Sequence, residues 1–386
     1  MTQQTTFDRE MAASTPVTLS NSDYLSHAAR ASGRSVLDVT MEFKKLERGP
    51  GRLALPEYVF YGLHHADRFD ADDRAAFVSE ALHWPMVHAV NPRGWNAAAE
   101  EKTLAGLILA AGGVPVPETL AVFDRSARLH PGLPSVTSAD GLRDLVLAEG
   151  GKGLFGKDLS GMSSAGAFRI DAADRDGVTR SGAPATDWDR FVADAIGDRA
   201  YLLQRQVHNH AAITPYATAL ATVRVAIFMM HNGPCVRHAV IKLPQGRNIA
   251  DNFWRAGNLA CGIDIDSGRV IRIARDGGSE LEYLADHPEV PGLMGLDLPD
   301  WDHLHDVVSR AARLFAPLKY QTMDVALTPD GPVVVELNDG GSFKLLQTGL
   351  GCGIGTEDFH RFFAPAAARQ DPPKRGLGAL LRRARG

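Results

Sequence analysis

The stretch YQTMDVALTPDGPVVVELNDGG, Tyr320 to Gly341, constrains the fold of this chain more than any other. Two apolar, β-rich runs flank Pro329-Asp330-Gly331, a turn signature, so the segment reads as a β-hairpin. A three-residue turn centred on Asp330 makes Asp324 and Glu336 cross-strand partners, and like charges so opposed, with Cβ atoms about 4.5–5.5 Å apart, are destabilising. Asn338 projects from the same face as Glu336. Val333, Val334 and Val335 make the strand apolar on both sides, so a simple water-exposed face explains the charges poorly. Two carboxylates and an amide oxygen are hard donors suited to Mg²⁺ or Mn²⁺ that also coordinates phosphate. The alternatives are solvation at a strand end or protonation of one carboxyl.

A second stretch, GKGLFGKDLSG from Gly151 to Gly161, opens like a P-loop but carries Asp158 where that loop needs Ser or Thr for magnesium. Lys157 closes a predicted strand, and the small-residue loop DLSGMSSAG leads into a second strand, AFRID. Glycine and serine let backbone N–H groups approach a polyphosphate, and the lysine adds a compact charge. The competing reading is a flexible exposed hairpin with an ordinary surface lysine.

Arg224 lies inside the apolar strand ATVRVAIFMM and needs an anionic partner, either a ligand or a structural acid. Lys242 lies near the end of the next strand. A two-residue Asn232-Gly233 loop sets the two on opposite faces, whereas a three-residue loop ending at Pro234 sets them opposite each other. NIADNFWRAGN, residues 248–258, mixes Asp251, Asn252, Arg255 and Gly257 as a ligand-binding loop does. His208 and His210 have no third ligand at metal spacing and read as surface or core residues.

The chain's 386 residues, 45% hydrophobic, suffice for two or three packed domains. No apolar run reaches membrane-span length, and no signal peptide pattern opens the chain, so a cytoplasmic location is expected. Three scattered cysteines read as reduced thiols. The net charge of −5 includes five basic groups in KRGLGALLRRARG, leaving the body acidic and excluding nucleic acid as a partner. That basic tail, 366–386, is either a solvated terminus or a weak membrane-surface contact. The first fifty residues are polar and weakly periodic, and a helix expected over 71–90 makes 1–92 a mostly helical cap. A further helix is expected from Ala97 to Ala111 with Asn96 as its N-cap, followed by a linker-like stretch within 93–136. A strand is expected near 119–123, short strands and helices follow over 137–207, and longer strands over 208–365. The fold class is α+β.

Taken in order, Lys157 with its loop, YLLQRQV, TVRVAI, IADNFWRAGNLACGIDIDSGRV and YQTMDVALTPDGPVVVELN resemble the sugar-transfer associated ATP-grasp family, related to glutamate-ligase-like enzymes, over about residues 95–350. The resemblance implies two α+β subdomains gripping ATP, and carboxylate-to-amine (or thiol) ligation through an acyl phosphate. It implies nucleotide contacts from Lys102 and Lys157, and a mobile lid, GMSSAG, containing Gly161, Ser163, Ser164 and Gly166. YLLQRQV would be the hinge strand, with Gln204 and Val207 at adenine. Arg224 and Lys242 would face the γ-phosphate, with Asn252 and Arg255 near the transferred group, and Mg²⁺ (or Mn²⁺) would sit on Asp324, Glu336 and Asn338. Gln204-Arg205 departs from an acidic hinge, and Ala211 and Asn258 depart from the ribose-binding acid and the glycine of related enzymes. The partners implied are a small-molecule carboxylate and an amine or thiol acceptor. The rival readings are a kinase of the same fold and a nucleotide-binding protein without turnover.

Overall fold

The computed structural model describes residues 5–6, 19–161 and 164–364. Ser163 and the basic tail lie outside them. Among the described residues, five helices come before the first sheet region: Asn21–Ser32 (α1), Val36–Arg48 (α2), Leu55–Phe60 (α3), Ala71–Ala75 (α4) and His83–Val90 (α5). The start of α1 is fixed by a capping box between Ser20 and Asp23, and its end by Gly33 in the left-handed region.

Two expected helices are interrupted. Between α4 and α5 the chain extends so that the Val78 N–H reaches the buried Gln347 Oε1 at 2.7 Å, and Ser79 then caps a short 3₁₀ turn. The helix expected over 97–111, capped by Asn96, is two: Asn96–Glu100 (α6) and Lys102–Ala111 (α7). Glu101 is extended (ψ 110°), and its carboxylate accepts from the Leu104 N–H at 2.7 Å. A local N-cap bond has outcompeted continuation of the helix. Lys102 consequently starts a new helix.

The first sheet has the order β2-β1-β6-β3-β4-β5. Its strands are Thr119–Phe123 (β1), Ser135–Val136 (β2), Leu154–Asp158 (β3), Phe168–Ala173 (β4), Val178–Arg180 (β5) and Tyr201–Arg205 (β6). The segment 93–136 thus supplies two strands. Helix Ala139–Ala148 (α8) and helix Trp188–Phe191 (α9), which continues as a wider turn over Val192–Ile196, bury Leu142, Val146, Trp188 and Phe191 against one face. β3 and β4 pair antiparallel, so the glycine-serine loop joins strand to strand.

The second sheet has the order β11-β10-β9-β8-β7-β12-β13. Its strands are Thr222–Met230 (β7), Gly233–Leu243 (β8), Leu259–Ile263 (β9), Val270–Asp276 (β10), Leu281–Leu284 (β11), Tyr320–Thr328 (β12) and Gly331–Asn338 (β13). One face, including Val223, Val225, Ile241, Met323 and Val325, packs on helix Trp301–Leu314 (α10). The other, including Ala226, Phe228, Val240 and Tyr320, packs on helices Phe343–Leu350 (α11) and Glu357–Phe363 (α12) and on the N-terminal helices. Arg224, Lys242 and Asp324 alternate onto this second face, where the helical cover ends and a cleft begins. No helix among the described residues is long and apolar enough to cross a membrane.

Candidate active site between two sheets

The β7–β8 hairpin turns through His231-Asn232, with Met230 opposite Gly233. A bulge beyond Ala226 then shifts the register, so that Arg224 faces Val240 and Thr222 faces Lys242. Arg224 and Lys242 are therefore diagonal neighbours on one face, the arrangement that neither of the two expected loops gives.

Arg224 also stands opposite Asp324 on β12. Its Nε and Nη2 donate to the two Asp324 oxygens at 2.5 and 2.7 Å, and Lys242 Nζ lies 3.0 Å from Oδ2. Lys242 also reaches Asp251 at 2.9 Å, and Thr222 donates to that same Asp251 carboxylate. Burial pushes the Asp324 carboxyl up, but the guanidinium and ammonium beside it prevail and hold it well below the usual carboxylate range.

Lys157, on β3, sends its Nζ across to the Val335 carbonyl at 3.1 Å. Lys102, at the start of α7, donates to the Gly161 carbonyl at 2.7 Å and lies 3.2 Å from Glu336 Oε1. The two lysines tie the first sheet and its loop to β13. Burial lowers Lys157 to about 8; Glu336 opposes that shift and Lys102 reinforces it. Asp158, the residue that spoils the P-loop pattern, points elsewhere: it pairs with Arg199 and accepts from the Ser160 N–H at 2.8 Å, fixing the start of the loop.

These groups line a cleft of about 780 Å³. Of the residues singled out from sequence, Lys102, Lys157, Gly161, Ser164, Gln204, Val207, Arg224, Lys242, Asn252, Asp324, Glu336 and Asn338 all face it. Gly166 lies at the base of the loop, where its carbonyl accepts from the Tyr201 hydroxyl at 3.1 Å. Arg255 sits beside the cleft and donates to the Ser164 carbonyl at 3.4 Å. Gln204 donates to Thr119 Oγ1, and next to it Val207, Ala219, Leu220 and Leu337 offer an apolar surface. Arg205 pairs with Glu118 and Glu149.

Sequence reasoning missed the far wall. Glu80, His83 and Trp84 come from the helical region, and Asp339 to Ser342 from the turn after β13. Gly341 is a steric necessity there, since a Cβ would lie 2.3 Å from Thr322 Oγ1. Burial and the nearby Glu100 raise Asp339 to about 6. Asp251 and Thr222 were also missed as partners of Lys242; the one available signal was an acid within a polar loop.

A profile of the sugar-transfer associated ATP-grasp family matches residues 85–357. The chain belongs to this family. Its two-sheet architecture is the ATP-grasp fold. Among curated proteins, none matches. Solved structures that resemble this ATP-grasp protein include the D-Ala:D-Ser ligase VanG from Enterococcus faecalis (12% identity, TM-score 0.40, covering 72% of this chain and 64% of that one). Others are N5-carboxyaminoimidazole synthase from Aspergillus clavatus with ADP and a ribonucleotide (10%, 0.37, 68% and 51%) and biotin carboxylase from Campylobacter jejuni (12%, 0.37, 68% and 48%). The chain spans about half to two thirds of the length of these structures.

Proposed function

We propose that this protein is an ATP- and Mg²⁺-dependent ligase that joins a carboxylate to an amine or thiol through an acyl phosphate, releasing ADP, in polysaccharide-associated or natural-product biosynthesis. One observation carries the reading: Lys102 from α7, Lys157 from the first sheet, and Arg224 and Lys242 from the second meet Asp251, Asp324 and Glu336 in one cleft. Within that cluster four cations meet three carboxylates, which suits a polyphosphate anion, while Glu80, Glu100, Glu101 and Asp339 line the cleft elsewhere.

The donor set fits a divalent cation. A carboxylate offers about four lone-pair sites, and Asp324 and Glu336 retain unused ones. The Asn338 Nδ2 is buried without a hydrogen-bond partner, so nothing holds that amide against turning its oxygen inward. The ammonium groups of Lys102 and Lys242 already sit on the two carboxylates, at 3.2 and 3.0 Å, as monovalent stand-ins. Bound there, Mg²⁺ would neutralise the β- and γ-phosphates.

In the proposed reaction a substrate carboxylate oxygen forms a bond to the γ-phosphorus, and the bond from that phosphorus to the β-bridging oxygen breaks, releasing ADP. Arg224 and Lys242 take up the negative charge spread over the transferred phosphoryl oxygens. The amine or thiol then attacks the acyl carbon, phosphate leaves, and the nucleophile's proton passes to solvent. Gly161, Ser164 and Ala165 border the phosphates on the side where water is to be excluded while the acyl phosphate exists. Glu80, His83 and Trp84 border the acceptor, and Val207 and Leu220 give the adenine an apolar surface.

The test is incubation with Mg-ATP and a pool of carboxylates, amines and thiols, reading ADP and new products by mass spectrometry. A condensed product with one ADP per bond supports the reading. ADP with a stable phosphorylated product, or no ADP with any pool, refutes it.

A further inference from the structure

Three histidines and one glutamate meet away from the cleft. His27 comes from α1, His64 and His65 from the turn after α3, and Glu280 from the turn between β10 and β11. His27 Nε2 and His64 Nε2 lie 2.7 and 2.9 Å from Glu280 Oε1, and His65 Nε2 lies 3.0 Å from Oε2. The ligand atoms of His27, His64 and Glu280 are all within 4.8 Å of one another. None of the four lines the nucleotide cleft, and the three histidines precede the family match. Gly62, with a left-handed φ of +68°, makes the turn that brings His64 and His65 back onto Glu280.

His64 is the telling member. It is fully buried; its Nδ1 has no hydrogen-bond partner, and its Nε2 is aimed at Glu280 Oε1 at 2.9 Å. An imidazole buried in that state is costly unless its lone pair is used. Two or three imidazole nitrogens with one carboxylate oxygen form the donor set of a zinc site. Tetrahedral coordination at about 2.0–2.1 Å separates donor atoms by about 3.3 Å. The 2.7–3.0 Å contacts would therefore open by a few tenths of an ångström on metal binding. His27 is 36% exposed, which supplies an entry path.

We infer that His27, His64 and Glu280, assisted by His65, bind a divalent transition-metal ion, zinc by donor chemistry, which staples the helical N-terminal region to the second sheet. The site is nitrogen-rich and separate from the hard-oxygen set at Glu336, and the inference is independent of the ligase reading.

The experiment uses full-length protein stripped of metal, titrated with ZnCl₂ against a chromophoric chelator, with Co²⁺ absorption reporting nitrogen coordination. Wild type should bind one zinc that is retained in E336Q. Affinity should fall about tenfold or more in H64N, E280Q and H27A. Zinc should also raise the melting temperature of wild type by several degrees and leave H27A unmoved. H27A alters a half-exposed residue, so a folded variant is available even where H64N fails to fold. Stoichiometry and affinity unchanged in H27A and E280Q would overturn the site. So would stabilisation that follows pH alone, with no response to zinc, because the cluster would then be a purely hydrogen-bonded one.

Discussion

Asp324 and Glu336 stand opposite each other across β12 and β13 because of a bulge. The turn is two residues long, with Thr328 facing Gly331, and Val325 faces Val334. Val335 is the extra residue that moves the register by one and brings Glu336 opposite Asp324. As the bulged position, it directs its carbonyl to Lys157 Nζ. The β7–β8 hairpin repeats the device: a two-residue turn and one extra residue align Arg224 and Lys242 on the same face. Two bulges thus assemble the charged cluster and provide an acceptor for the lysine of the opposing sheet.

Glu336→Gln should abolish Mg-ATP turnover, with a loss of at least about a hundredfold, while the fold persists. The crowding of two bare carboxylates, expected from the hairpin alone, does not arise. Asp324 is neutralised by Arg224 and Lys242, and Glu336 pairs with Lys102. The substitution therefore gives no relief of repulsion, and with Glu336 31% exposed the lost ion pair costs about 0–1 kcal/mol. ADP release and chemical denaturation measure the two effects. Turnover near the wild-type level would remove Glu336 from the metal site.

Asp324→Asn should behave oppositely and destabilise the protein by about 3–5 kcal/mol, because it leaves Arg224 and Lys242 buried without their shared counter-charge. The sign with pH follows from the same contacts. The folded-state pKa is depressed, so the stabilisation is fully present above the unfolded value near 3.9 and is lost as pH falls through the folded value. Urea titrations across acidic pH should show a slope in wild type that is shallower in the variant. Equal stability of the two proteins at neutral pH would contradict the buried cluster.

Much of this architecture is legible in the residues themselves. Alternating apolar strands around Asn232-Gly233 and Pro329-Asp330-Gly331 mark the two hairpins, and Lys157 before a glycine-serine loop marks the strand-loop-strand. Bulges are harder to see, since Val335 and Arg237 look like any other strand residue and the shift in register depends on what lies across the sheet. The break at Glu101 is a competition between two local hydrogen-bond patterns that helix propensity does not resolve. The histidine cluster is invisible for a different reason: His27, His64 and Glu280 meet only through tertiary packing, whereas His208 and His210, close in sequence, form no such cluster.

Lys157 should make nucleotide binding depend on pH. Burial first, with Lys102 adding and Glu336 opposing, lowers its pKa to about 8. Phosphate favours the charged form, so binding near pH 8 should take up protons, and affinity should fall as pH rises above 8. For folding the sign is reversed. Between about 8 and the unfolded value near 10.4 the unfolded chain holds more protons, so this group's contribution becomes more favourable as pH rises. Calorimetry of nucleotide binding in buffers of different ionisation enthalpy measures the uptake. An identical pH profile in Lys157→Met would assign it to another group.

Asn91 should prove the residue through which the helical region supports the strand pair proposed to hold Mg²⁺. Its Oδ1 accepts from the Lys319 and Tyr320 N–H groups at 2.7 and 2.9 Å, and its Nδ2 donates to the Tyr320 and Asp339 carbonyls at 2.7 and 2.5 Å. It joins the start of β12 to the residue that follows Asn338, and it is only 3% exposed. Asn91→Ala strips partners from several backbone groups in a region closed to water, for a loss of about 2–4 kcal/mol. Because the Asp339 carbonyl is then no longer held, Asn338 loses its placement, and the Mg²⁺ concentration needed for half-maximal turnover should rise several-fold. Asn91→Asp keeps the acceptor and loses the donor, so its Mg²⁺ requirement should rise as in Asn91→Ala. A purely structural role would instead lower stability in both variants while leaving the Mg²⁺ requirement unchanged. Urea denaturation and metal titration of activity, run on the same preparations, separate these outcomes.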